Sequence, residues 1–404
     1  MIRRLLIGTF IFIASLAGMA QNGEVDRPLT KARFLVSEKM YEDALAALEN
    51  NQSSESGQMR SALAMGQALS GLGKLDESNK WLIQVSGDGK ADAFYCLAKN
   101  YLAMNDFSAA IQFLGKHLAD KEHYPEKFIR MDPDFSKLEN NREWIHLWQT
   151  EWYSDPERQT AECEFLISQG QPDEAKSLIT QFLATYPDDP RPWFLQSKID
   201  RVLKEERQAR QALENAWQLS SDQVLLRQEM LRFALESGFY EQVNNMASEL
   251  IRQDPTNPEY LITRALIRIL DGKESLALKE IESIEDSGIA PAELYYQAGR
   301  RFATSIPRQA ESYLSKAIAT GIMDARYYYT RGIVNSALGK TELALDDLAM
   351  SLDINPNQPD LYVERARLRL DLGDTEGACH DWKKALEMGN AKAADLLYKY
   401  CKLP

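Results

Sequence analysis

Small and large apolar residues recur along this chain in a fixed order. Ten turn positions mark the period: Lys39, Gly73, Asn105, Gly170, Lys204, Gly238, Gly272, Ser305, Gly339 and Gly373, spaced 34, 34, 34, 33, 34 and 34 residues apart from Gly170 onward. Seven residues before them stand Ala32, Gly66, Ala98, Cys163, Ser197, Leu231, Ala265, Ala298, Gly332 and Ala366, of which nine are small. Five residues after them stand Ala44, Ser78, Ala110, Ala175, Ala209, Val243, Ala277, Ala310, Ala344 and Ala378, eight of them alanine. Four further on the chain wants bulk: Leu48, Leu82, Leu114, Ile179, Leu213, Ala247, Ile281, Leu314, Leu348 and Trp382. Spacings of three to four residues within each stretch predict helices, and the turn between them predicts an antiparallel pair. A small residue on the first helix facing an alanine on the second lets the two backbones approach. Where Leu231 and Val243 are oversized, the bulky position shrinks to Ala247, which keeps the core volume roughly constant. Pro187, Pro255 and Pro356 stand just past second helices, where proline stops a helix.

Residues 121–156 break the period, since the 65 residues from Asn105 to Gly170 approach two repeats without matching them. That stretch holds Met131-Asp-Pro-Asp-Phe135, then Trp144, Trp148 and Trp152 at i, i+4 and i+8, which predicts one aromatic helix face. Burial of that face between flanking repeats and exposure as a docking face are the two readings. Ala391 to Tyr400 reads as a last helix, of the kind an array needs to cover its terminal apolar face.

The small, turn, alanine, bulky and proline positions together resemble the tetratricopeptide repeat, a 34-residue helix–turn–helix unit, over roughly residues 25–120 and 155–390. Tyr328-Tyr-Thr-Arg-Gly332 through Asn355-Pro356 fits best, and Lys39, Lys204 and Ser305 depart from it by lacking the turn glycine. The resemblance implies an all-α, right-handed superhelical solenoid with a C-terminal capping helix. Its expected layout is a leader at 1–20, about three N-terminal repeats in 21–120, an irregular helical insert at 121–156, about seven repeats in 157–390 and a cap at 391–404. An array of this kind leads us to expect one continuous solenoid in which only neighbouring repeats touch, with the insert as its weakest joint.

Charge and composition narrow the setting. Of 404 residues, 26% are charged and 44% hydrophobic, an ordinary soluble balance. The formal net charge of -13 argues against nucleic acid as a partner, which needs a basic footprint. Met1-Ile-Arg-Arg4, the apolar run Leu5–Ala17 and Gly18-Met19-Ala20 have the order of an export signal cleaved before Gln21. The apolar core of this signal is too short to span a bilayer, so no membrane span is expected in the mature chain. An exported bacterial protein, periplasmic or else fully secreted, is the expectation. Losing Arg3 and Arg4 would take the net charge to -15.

Candidate chemistry reduces to packing. Gly339-Lys340-Thr341 ends like a phosphate loop, but it is a repeat turn with no strand before it. His117 and His123 lack a third ligand, and Cys379 and His380 diverge as neighbours on a helix. Asn51-Gln-Ser53 matches a glycosylation sequon of little meaning in a bacterial export setting. No enzyme activity, cofactor or metal is expected. Cys379 and Cys401 each lie 11 residues from Asn390, the predicted turn between two antiparallel helices, and so stand at the same height. An oxidising compartment would close them into a disulfide, while Cys96 and Cys163 stay thiols; two separate small hydrophobes are the other reading.

The resemblance further implies that the inner wall comes from first helices, at the residues three before and one after the small position. In this sequence those are Tyr95 and Lys99, Phe194 and Lys198, Gln228 and Arg232, Tyr295 and Gly299, Tyr329 and Ile333, and Val363 and Arg367, with Arg201 one turn beyond Lys198. The implied function is a non-enzymatic scaffold that binds a protein or peptide partner, in envelope assembly or secretion. Alternating aromatic and basic wall residues would favour an extended acidic or aromatic peptide. Pairing of Lys198, Arg201 and Arg232 with neighbouring carboxylates is the competing reading, and a glycan-binding or uptake accessory is the alternative function.

Overall fold

A computed structural model of the chain describes residues 26–49, 55–85, 87 and 89–401. The export signal and the Asn51 sequon lie outside these residues. Among the described residues the fold is all-α, built of ten helix pairs, an insert and a final helix. The pairs are α1 (Arg27–Ser37) with α2 (Tyr41–Leu48), α3 (Glu55–Gly71) with α4 (Leu75–Leu82), and α5 (Lys90–Ala103) with α6 (Phe107–Leu118). The insert comprises α7 (Glu126–Met131), a 3-10 turn (Pro133–Leu138) and α8 (Arg142–Leu147). Then follow α9 (Asp155–Ser168) with α10 (Pro172–Thr185), α11 (Pro190–Val202) with α12 (Glu206–Leu219), and α13 (Val224–Glu236) with α14 (Tyr240–Gln253). The last pairs are α15 (Pro258–Leu270) with α16 (Glu274–Asp286), α17 (Ala292–Phe302) with α18 (Pro307–Ala319), α19 (Ala325–Ala337) with α20 (Thr341–Ile354), and α21 (Pro359–Asp371) with α22 (Thr375–Glu387), before α23 (Lys392–Tyr400).

Nine of the ten turn residues adopt the left-handed conformation, with φ between 61° and 84°, and three of these are not glycine: Lys39, Asn105 and Lys204. In each, the next N–H donates to the carbonyl five residues back, as from Met40 to Leu35 at 2.8 Å and Lys340 to Asn335 at 2.9 Å. That bond satisfies a carbonyl the helix end would otherwise leave orphaned, so the motif outweighs the Cβ strain at the lysines. Ser305 is the exception. There α17 ends at Phe302, Ile306 N–H donates to the Phe302 carbonyl at 3.0 Å, and Pro307 opens α18.

The seam between paired helices is as close as the small residues predict. All ten alanine-type positions, including Ser78 and Val243, are fully buried. Ser78 Oγ donates to the Gly66 carbonyl and Ser197 Oγ to the Ala209 carbonyl, both at 2.7 Å. A Cβ on Gly332 would lie 2.7 Å from Leu348. In α17 it is Gly299, not Ala298, that fills this place: its Cβ would lie 2.4 Å from Leu314 and 3.0 Å from the Ala310 carbonyl. The single 33-residue spacing shifts the register of that first helix by one.

The chain divides into two compact units, Met1–Arg264 with Ser287–Ile289, and Ala265–Asp286 with Ala290–Pro404. In the first, a core from Ala62 to Leu147 joins α3 to α6 with the insert. The aromatic face forms only in part, because α8 ends at Leu147. Trp144 is buried against Phe135, Trp148 meets Trp144 edge-on at 5.5 Å, and Trp152 lies past the helix with its indole N–H donating to the Leu147 carbonyl. The insert thus packs into the core of the preceding repeats rather than between two arrays.

The expectation that only neighbouring repeats touch fails in this unit. Arg33 of α1 donates to Asp254 at 2.8 Å and to Thr256 at 2.7 Å, and Arg60 of α3 reaches the same carboxylate at 3.1 Å. All three charged groups are buried. Burial pushes Asp254 up, but the two guanidiniums outweigh it and hold the carboxyl below its usual range. Leu225 of α13 also packs on the core formed by α3 to α8.

The second unit buries ion pairs inside its helix pairs. Asp347 takes Arg331 and Asn335, and Asp381 takes Arg365 at 2.7 Å and Arg369 at 2.9 Å. Its last pair is closed by α23 through the Cys379–Cys401 disulfide, Cα atoms 5.8 Å apart, with Tyr400 stacked on Trp382. Cys96 and Cys163 are buried thiols, and burial pushes Cys96 up to about 12.

Candidate functional site: the wall of first helices

Two places on each first helix define the candidate wall, three before and one after the small residue. On α5 both are covered by the chain itself. Tyr95 is fully buried, its hydroxyl donating to Asp132 at 2.6 Å, with Phe135, Tyr124 and His117 around its ring. Lys99 bridges Asp132 at 3.0 Å and Asp134 at 2.6 Å. Burial works against both charges. The two aspartates nevertheless raise Lys99, while Tyr95, the Asp134 N–H and Lys99 together lower Asp132. The segment Asp132-Pro-Asp-Phe135 therefore sits where an acidic, aromatic ligand was expected, supplied in cis.

On α11 the ring of Phe194 is buried under Lys198, whose ammonium stands 4.3 Å from its centroid. That ammonium bridges Glu164 of α9 and Glu229 of α13, each at 2.7 Å. Burial would lower Lys198, but the two glutamates raise it. On α13, Gln228 is buried and donates to the Tyr260 hydroxyl at 2.8 Å, while Arg232 pairs with Glu259 at 3.4 Å. Burial pushes Glu259 up and Arg232 offsets it only partly. The Arg201 Nε is buried and makes no hydrogen bond. Lys99, Lys198 and Arg232 are thus paired with neighbouring carboxylates, the arrangement that the competing reading described for Lys198 and Arg232.

In the second unit the shifted register displaces one predicted residue. Tyr295 stacks on Tyr313 of α18 and lies beside Glu285, away from the wall. Tyr296 holds the place instead, its ring 5.3 Å from Tyr327 of the next first helix, the counterpart of the Gln228–Tyr260 contact. Sequence reasoning missed Tyr296 and the exposed Arg300 that follows Gly299; the 33-residue spacing was the available signal. On α19 both wall residues stay open, Tyr329 at 39% and Ile333 at 38% exposure. On α21, Val363 is buried and Arg367 is exposed, bonded to Glu364 of its own helix at 3.0 Å. Among the described residues no cluster of three or more His, Cys, Asp or Glu side chains could hold a metal, and no helix is long and apolar enough to cross a membrane.

Paired helices with a small-residue seam and left-handed turns make this a tetratricopeptide-like fold. No family model matches the chain. A DnaJ homolog subfamily C member 7 homolog from Dictyostelium discoideum is 26% identical over 191 residues, 43% of this chain and 35% of that protein. The human DnaJ homolog subfamily C member 7 is 22% identical over 186 residues, 41% of this chain and 37% of that one. The chain spans about a third of the length of these curated relatives. Among solved structures, MamA from Desulfovibrio magneticus RS-1 is 18% identical at a TM-score of 0.38, covering 42% of this chain and 96% of that one. The C-terminal part of a TPR repeat-containing protein from Cytophaga hutchinsonii is 16% identical at a TM-score of 0.46, covering 58% and 98%. YrrB, described as a TPR protein with an unusual peptide-binding site, is 13% identical at a TM-score of 0.38, covering 55% and 97%. These are likenesses of fold.

Proposed function

We propose that the chain is an exported, non-enzymatic scaffold that holds a protein or peptide partner on the first-helix wall of its second unit. The observation that carries this reading is the exposure of Tyr329, at a wall position whose counterparts Tyr95, Phe194 and Gln228 are buried within the chain, with Ile333 open one turn on. Their spacing of four puts them on one face of α19, and an aromatic and an aliphatic side chain open to water together form an apolar foothold. Arg300 on α17 supplies a cation on the preceding first helix, while Arg367 on α21 is held by Glu364 of its own helix. The partner would be an extended segment that lays an apolar or aromatic side chain on this pair. Export is supported by the leader and by the Cys379–Cys401 disulfide, which suits an oxidising compartment. A role in envelope assembly or secretion follows from that location.

The test is capture from an envelope extract by wild type and by the Tyr329→Ser, Ile333→Ser double variant. Loss of the partner with an unchanged melting curve supports the reading. Retention of every partner, or capture of polysaccharide in place of protein, overturns it.

A further inference from the structure

The chain carries on its own α5 a filled example of a wall site. Asp132 caps a short 3-10 turn, its carboxylate accepting the Asp134 N–H at 3.0 Å, with Pro133 in the first place of the turn. That turn sets two carboxylates and a ring toward α5. Asp132 meets the Tyr95 hydroxyl and Lys99, Asp134 meets Lys99, and Phe135 lies edge-on to the Tyr95 ring at 5.7 Å. The receiving half is small: a tyrosine three before the small residue and a cation one after it, which a spacing of four places on one helix face.

Of the ten first helices, α5 and α17 alone carry this pair, once the register of α17 is counted from Gly299. There it is Tyr296 and Arg300. Among the described residues Arg300 is exposed and makes no ion pair, and the Tyr296 hydroxyl makes no hydrogen bond. Arg326, which covers the Tyr296 ring at 4.8 Å, is by contrast taken by Asp324 at 2.6 Å and Glu293 at 3.3 Å. No insert follows α18; α19 brings Tyr327 against Tyr296 and leaves Tyr329 and Ile333 open. Burial raises the Tyr329 hydroxyl first, and Glu364 and Asp360 of α21 and the hydroxyl of Tyr296 add to it. Carboxylates thus border this stretch of wall on the α21 side and the free guanidinium on the α17 side.

We propose that Tyr296 and Arg300, with Tyr329 and Ile333, receive in trans what Tyr95 and Lys99 hold in cis. The occupant is a turn of the Asp-Pro-Asp-Phe kind on a partner protein, with its carboxylates on Arg300 and the Tyr296 hydroxyl and its aromatic ring on Tyr329 and Ile333. The inference rests on the wall reading above and narrows its partner to one chemical class. A guanidinium suits two carboxylates, because its planar fork offers five donors where an ammonium offers three. The acidic α21 side sets the direction, since it repels the carboxylate end of the turn and not the ring.

The probe is a labelled peptide with the sequence of residues 131–138, Met-Asp-Pro-Asp-Phe-Ser-Lys-Leu with blocked ends, titrated against the full chain by fluorescence anisotropy. It should bind, and weaken about tenfold or more with Arg300→Glu or with asparagine in place of both its aspartates. Tyr296→Phe, which removes only the hydroxyl, should weaken it by about threefold or more. Arg308→Glu, an equal change of charge at an exposed position of α18, should leave it unchanged. Melting curves of the exposed-site variants should match wild type. Failure of the peptide to bind, indifference to Arg300→Glu, or an equal loss with Arg308→Glu overturns the proposal. So does a dimer in light scattering that Arg300→Glu abolishes, since the turn of a second copy would then be the occupant. An envelope partner that is lost with Tyr329→Ser and Ile333→Ser but survives Arg300→Glu overturns this inference alone and leaves the wall reading standing.

Discussion

The first helices α5 and α19 carry tyrosines at the same register position, and the two have opposite fates. Tyr95 is buried under Asp132 and Phe135, with Lys99 clamped between Asp132 and Asp134. Tyr329 is left open beside Ile333. On α5 the cover comes from the insert, which folds back onto its own repeat, whereas the same position on α11, α13 and α21 is buried among neighbouring helices and only α19 leaves its tyrosine open among these five. A wall position is therefore open to a partner only where no part of the same chain covers it. The cis segment also shows which groups suit such a position, an aromatic ring and carboxylates against a tyrosine hydroxyl and an ammonium.

The largest expected effect lies in the covered unit. Asp254→Ala leaves Arg33 and Arg60 buried without a counter-charge, and loss of one partner from such a cluster costs about 3–5 kcal/mol. Denaturant titration should show the first unit losing stability while the region around Trp382 keeps its own. A single shared shift would mean that the two units unfold as one.

Acid comes next, acting beside the covered tyrosine. His117 is buried under Tyr95, its Nε2 accepting the Tyr124 N–H at 2.9 Å and its Nδ1 contacting the Ala91 carbonyl at 2.9 Å. Burial pushes it down to about 4. The unfolded chain takes up the proton near pH 6.5 and the folded one only near 4, so stability is present above 6.5 and lost as pH falls between the two, by roughly 3 kcal/mol. Burial alone would lower His123, but Glu157 and the Asp120 carbonyl raise it, so it works in the opposite sense: its contribution is fully present below its unfolded value and is lost as pH rises through its folded one. His117→Gln should flatten the acid limb of stability against pH; an unchanged limb would place the acid sensitivity elsewhere.

The smallest effect sharpens the other side of the comparison. Because Tyr329 and Ile333 are open, Tyr329→Ser with Ile333→Ser should alter stability by less than about 0.5 kcal/mol per site while removing the partner. A large drop in melting temperature would show that α19 uses these side chains for packing.

The period alone determined the helix pairs, the turns and the seam. These depend on contacts within about thirty residues, where spacing fixes which side chains meet. Lys39 and Lys204 take the left-handed turn without glycine because the carbonyls at the helix end demand it, and the Cys379–Cys401 pair follows from equal distances to one turn. Even the displaced Tyr295 was marked by the one short spacing before Ser305. The tertiary structure alone decided which of these residues remain available. Asp132 on Tyr95 and Arg33 on Asp254 both depend on where a non-repeating segment or a distant repeat comes to rest. The physical reason is that a repeat specifies its neighbours through local spacing, whereas coverage by remote chain is set by packing and charge between surfaces whose sequences carry no common period.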